Sequence, residues 1–191
     1  MSPRSKEQFE EIREASRDKI MEAAMELFSR KGYHLTSIND IVKKAGISKG
    51  LLYHYFSSKE MLLKGMVDQF VSEGEEMMER IVDPDPKKLL ANLFNVLIDD
   101  MKARFEFYSL VINITVQIHE LDFVYRLAVN KYKGYIDLFT QLFDQLGYND
   151  PKGESMMLAA LFDGIGIQYF TMKDQYPLEE MRKTLLSKYC S

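Results

Sequence analysis

Apolar residues recur at three- and four-residue intervals along most of the chain. No stretch shows the strict alternation of a half-buried strand, so the pattern predicts an all-α protein of about nine helices. The first long helix is expected from about Lys6 to Lys31, with Ile20, Ala23, Ala24, Leu27 and Phe28 on its core face and Gly32 ending it. Its earliest turns are highly charged, which suits either a solvated helical extension or a mobile arm. Two short helices should follow, then one from Ser58 to about Val82. Pro84 and Pro86 break that helix, and Asp85 with Pro86 is suited to cap and open the next. Further helices are expected near residues 86–103, 105–118, 120–146, 154–173 and 177–189, with the tract GYNDPKGES from Gly147 to Ser155 as the clearest late loop.

The segment TSINDIVKKAGISKGLLYHYFSSKEML reads as two short helices joined by a tight turn and followed by a third, the order of a helix-turn-helix unit. Ser37 is a good N-cap with Asp40 at the third helical position, so an acidic group meets the positive end of the helix. Ile38, Ile41 and Val42 share an apolar face, and Gly46 accepts the positive φ that ending this helix requires. Ser48 caps the second helix. There Leu52 and Phe56, four apart, can anchor one face in a core and leave Lys49, Gly50, Tyr53 and His54 nearer the other. Lys49 falls in the first turn, where a recognition helix meets base edges, and lysine can donate to guanine O6 or N7. The hydroxyls of Ser37, Ser48, Tyr53 and Tyr55 and the His54 ring can donate to phosphate oxygens, contacts that set register without reading sequence. Ser58 caps a further helix whose first residue, Lys59, adds an ammonium to the free N–H groups there. The competing reading makes Tyr53 and Tyr55 ordinary packing residues. Lys43 and Lys44 read as a solvated face.

Together, LFSRKGYHLTS, NDIVKKAGISKG and LLYHYFSSKEML resemble the TetR family of transcriptional regulators over roughly the first third of the chain. Val42 departs from the pattern, which more often has alanine there. The resemblance implies a three-helix DNA-binding domain over residues 1–60 and a helical ligand-binding and dimerisation bundle over residues 61–191. It also implies phosphate contacts by Ser37, Ser48, Tyr53, His54, Tyr55 and Lys59, with Lys49 and Gly50 against bases and Leu51 near a thymine methyl. It implies a homodimer formed through the last two helices, a double-stranded operator, and release by a small-molecule effector. A ligand-carrier or protein-interaction bundle without sequence-specific DNA binding is the alternative.

Composition narrows these expectations. The net charge is −4, but residues 1–56 hold ten Lys or Arg against eight Asp or Glu, while residues 57–191 hold fifteen against twenty-one. A basic head on an acidic body suits DNA binding through one end. No apolar run reaches membrane-spanning length and the N-terminus is charged, so the expected compartment is the cytoplasm, with no membrane partner. The lone Cys190 excludes an intrachain disulfide framework and offers no metal spacing. No H-E-x-x-H, G-x-S-x-G or nucleotide fingerprint occurs, so neither an enzyme nor a cofactor is expected.

In the later chain, Asn113 and Gln117 are four apart within the apolar segment FEFYSLVINITVQIH. They could meet a ligand, or bond to backbone or face solvent. With Tyr108, Phe123, Tyr135 and Phe139 they are the candidate effector residues, and the twelve methionines and many aromatics suit either an adaptable apolar pocket or a solid core. Apolar residues on more than one face of SMMLAALFDGIGIQYFTM, together with Gly164 and Gly166, suit packing against another subunit's helix.

Overall fold

Helix-terminus chemistry sets most of the element boundaries. The structure, a computed structural model, describes residues 6–116 and 122–190, without the side chains of Lys6, Glu7, Phe9, Glu10, Glu11, Thr115, Val116 and Leu127. Among the described residues the elements are α1 (Lys6–Lys31), α2 (Ile38–Ala45), α3 (Lys49–Tyr55), α4 (Lys59–Glu79), α5 (Pro86–Ala103), α6 (Phe105–Val116), α7 (Asp122–Gln145), α8 (Pro151–Met172), a 3₁₀ turn (Lys173–Gln175) and α9 (Leu178–Cys190). These residues contain no strand, and no helix of theirs is long and apolar enough to cross a membrane.

Contacts divide the chain into two compact units, Met1–Glu73 and Gly74–Ser191, here called the head and the body. The division falls inside α4. In the head, Ile20, Ala24 and Phe28 of α1 are buried, as are Ile41, Leu52, Leu62 and Leu63 from the next three helices. Four-residue spacings thus turn one face of each short helix onto α1 and α4, since a helix brings residues i and i+4 to one side.

The body packs α5, α7, α8 and α9 around Leu90, Phe94, Ile98, Phe143, Leu158 and Leu185. Its α5 begins as the sequence suggests: the Asp85 carboxylate accepts the Lys87 and Lys88 N–H groups, and Pro86 stands where no N–H is needed. At α8 the sequence reading needs correction. The expected loop over Gly147–Ser155 is helix from Pro151 onward, with Asp150 accepting the Gly153 N–H. Asp150 and Pro151 repeat the cap-and-proline start of α5, and the dense loop-forming composition around them obscured it. The α4 helix also ends earlier than Val82, at Glu79, although Arg80 and Ile81 still bond back to Met77 and Met78.

Candidate nucleic-acid interface

Three successive features of the head build one surface. The first is a reciprocal capping box: the Ser37 hydroxyl accepts the Asp40 N–H, and the Asp40 carboxylate accepts the Ser37 N–H at 2.9 Å. Ser37 N–H and hydroxyl bonds, together with the Lys31 ammonium at 3.0 Å, hold the Asp40 carboxyl down to about 2. The second is the turn. Gly46 has φ +64°, and its N–H returns to the end of α2. A side chain there would be strained, which is what lets α2 stop and α3 start within a few residues. The third is α3, opened by Ser48, whose hydroxyl oxygen accepts the Leu51 N–H at 3.1 Å.

With Leu52 and Phe56 buried, the opposite face of α3 is presented outward. Lys49, Gly50, Tyr53 and His54 are exposed there, while Leu51 and Tyr55 are half-buried. Lys49 lies 6.0 Å from the centroid of the Tyr53 ring, and the rings of His54 and Tyr55 meet edge to face at 5.2 Å. A Cβ at Gly50 would meet only the Ser48 hydroxyl oxygen, at 3.9 Å. The fold therefore does not itself require glycine at this position, and its lack of a side chain leaves the α3 backbone open to close approach. Beside α3, a cleft of about 400 Å³ is lined by Tyr53, His54, Tyr55, Arg17, Met61 and Lys64. Arg17 and Lys64 did not emerge from the sequence reading. The signal was available, because both are basic residues on the two helices that must flank α3.

Lys59 is placed differently from the other candidates. Its ammonium donates to the carbonyls of Tyr33 at 2.8 Å, Thr36 at 2.9 Å and His34 at 3.4 Å, and lies over the Tyr33 ring.

The candidate effector residues of the body do not all come together. Asn113 is exposed and donates to the Ser109 carbonyl at 2.9 Å, the backbone-bonded alternative noted above. Gln117 lies outside the described residues. Phe139 is buried in the core near Phe94, and Phe123 is half-buried. Tyr108 and Tyr135 instead belong to a charged cluster in an otherwise apolar interior. The Asp100 side chain, 9% exposed, accepts two Arg104 bonds at 2.5 and 2.6 Å and the Tyr108 hydroxyl at 2.7 Å. Burial pushes the Tyr135 phenol up to about 12 and Tyr108 further up, and the Asp100 charge adds to both. Burial, with repulsion from Arg104, pushes the Lys131 ammonium down, and that ammonium lies 5.5 Å from the Tyr135 ring centroid. Phe170 stacks on Tyr108 at 6.1 Å and meets Phe105 at 4.8 Å. Asp100 lies on α5 and Tyr108 on α6, with Arg104 at the junction between them, so helical spacing alone did not announce the cluster.

A bundle-borne helix-turn-helix with this exposed face defines a DNA-binding type of head. Residues 20–66 match the family model described as bacterial regulatory proteins, tetR family. Over those residues the head is similar to the DNA-binding domain of the TetR family. YfiR of Bacillus subtilis, named as an uncharacterized HTH-type transcriptional regulator, is 35% identical over 80 residues, which are 42% of this chain and 38% of that protein. The chain thus matches well under half the length of that relative. Over nearly the whole chain the likeness is one of fold. A transcriptional regulator from Saccharomonospora viridis, solved in complex with choline, has a TM-score of 0.79 at 22% identity, covering 91% of this chain and 95% of that one. NalD of Pseudomonas aeruginosa, described as the secondary repressor of the MexAB-OprM multidrug efflux pump, has a TM-score of 0.72 at 24% identity, covering 94% and 95%.

Proposed function

We propose that this protein is a homodimeric transcriptional repressor that binds a palindromic operator and is released by a small molecule. The observation that carries the reading is the outward face of α3: Lys49, Gly50, Tyr53 and His54 exposed, with Leu52 and Phe56 anchoring the helix beneath them. Lys49 and Gly50 lie against bases and Leu51 approaches a thymine methyl. Ser37, Ser48, Tyr53, His54 and Tyr55 hold phosphates. Two such helices, one per protomer, enter successive major grooves roughly 34–36 Å apart.

The dimer forms through α8 and α9. On α8, Met157, Leu161 and Gly164 share a face, and Met157 is 62% exposed, a large apolar side chain for a solvent-facing position. A Cβ at Gly164 would meet nothing within 4 Å, which leaves room for a partner helix to approach closely. The effector binds in the body beside the Asp100, Arg104, Tyr108, Tyr135 and Lys131 cluster, its largely apolar frame against Phe105 and Phe170. The solved complex of a similar fold with choline and the repressor role given to NalD support this reading by analogy. Release requires the effector to bind the DNA-incompetent conformation more tightly, since equal affinity for both would shift nothing.

Selection of bound sequences from a randomised duplex pool, followed by a salt series on the enriched duplex, tests the proposal. An inverted repeat with steep salt dependence is expected. Absence of enrichment would favour a ligand-carrier or protein-interaction bundle.

A further inference from the structure

The Lys59 ammonium carries three N–H donors, and three backbone carbonyls converge on it: Tyr33 at 2.8 Å, Thr36 at 2.9 Å and His34 at 3.4 Å. All three belong to the connection between α1 and α2, more than twenty residues away in sequence. That connection is otherwise closely held. Gly32 turns out of α1 with φ +89°, and the Tyr33 ring packs edge-on against Phe28 at 5.1 Å. Thr36 is 1% exposed and donates to the Gly32 carbonyl at 2.8 Å. Its next residue is Ser37, the cap of α2. Lys59 lies over the Tyr33 ring at 4.4 Å, and burial lowers its pKa.

We propose that Lys59 is a positioning residue rather than a phosphate ligand: it clasps the α1–α2 connection to the first turn of α4 and so presents Ser37 and the start of α2 to DNA. To donate to a phosphate the ammonium would have to leave carbonyls in a half-buried site, and the strap from Gly32 to Ser37 would lose its tie to α4. The inference rests on the DNA-binding reading, which it deepens.

The test uses the full chain and the Lys59→Met and Lys59→Arg variants. Operator affinity is measured across a salt series, and amide exchange is followed from Gly32 to Ser37 in the free protein. Methionine keeps the apolar stem and removes charge and donors. It is expected to weaken binding about tenfold at every salt concentration, with an unchanged slope of log K against log salt and faster exchange along the strap. Arginine restores the charge, but its donors lie in a flat fork that does not point at one converging centre, so it should recover little of the affinity. A slope shallower by about one per head in Lys59→Met, with strap exchange unchanged, would make Lys59 a phosphate ligand and overturn the proposal. Full recovery by arginine would do the same. If the unmodified chain bound no duplex selectively, the DNA reading would fail separately, and the exchange contrast would still decide whether the clasp exists.

Discussion

The head and the body are both helical, yet they expose their chemistry in opposite ways. In the head the polar groups face outward on a short helix whose inner residues, Leu52 and Phe56, are buried. In the body the corresponding polar set, Asp100 with Arg104 and Tyr108, is turned inward among apolar helices. An outward basic face suits a large, highly charged partner that supplies its own counter-surface. An inward charged cluster suits a small ligand that must be desolvated to enter. A DNA partner of the head and a ligand of the body would therefore be tested independently, because the groups that would meet each belong to separate compact units.

The contrast can be broken from either side. The largest effect is expected from Leu52→Ala, which hollows the head beneath α3 and should cost about 4 kcal/mol of its stability by urea unfolding, with duplex binding lost at the same time. Retained binding would mean that α3 is not held by its buried face. Asp100→Asn removes the charge that pairs the Arg104 guanidinium, which is 22% exposed, and should cost about 3 kcal/mol in the body while leaving duplex affinity in the absence of effector unchanged. Equal loss of operator binding would show that the two units are not separable in this way. Lys49→Ala should leave thermal stability as it is and remove about 2 kcal/mol of discrimination at one base pair of the selected site. A uniform loss across all sequences would reassign Lys49 to phosphate.

The smallest effect is pH-dependent. The folded Asp40 carboxyl sits near 2, below its ordinary 3.8, so the capping box stabilises the head above the ordinary value and loses that contribution as pH falls through the folded one. The difference in melting temperature between the unmodified head and Asp40→Asn, read in the full chain, should be present near neutral pH, shrink below the ordinary 3.8 and vanish once pH falls below about 2. A difference that persisted there would mean the carboxylate charge is not what stabilises the cap.

How much of this could be read from the sequence follows the range of the interactions. Caps act over two or three residues, so Ser37 with Asp40, Ser48, and Asp85 with Pro86 were all readable in place. Asp150 with Pro151 carried the same signal but sat in a tract whose glycine and asparagine argued for loop. Gly46 was readable because only the turn chemistry demands a positive φ there. Asn113 shows the limit of periodicity: spacing places a residue on a face, but whether that face is covered depends on helices far away in sequence. The Lys59 clasp lay beyond sequence reading for the same reason, since its partners are carbonyls and carry no side-chain signature. Arg17 and Lys64, by contrast, stand on α1 and α4, outside the helix-turn-helix, and only the packing of those helices beside α3 brings their charge to its edge.

The most direct test of the central claim, that the outward face of α3 reads DNA as one half of a symmetric pair, is hydroxyl-radical footprinting of the full chain on its enriched duplex. Two protected patches related by a dyad and separated by about one helical turn are expected, with Lys49→Ala altering the preferred base within each. A single patch, or protection spread evenly along the duplex and indifferent to Lys49, would contradict it.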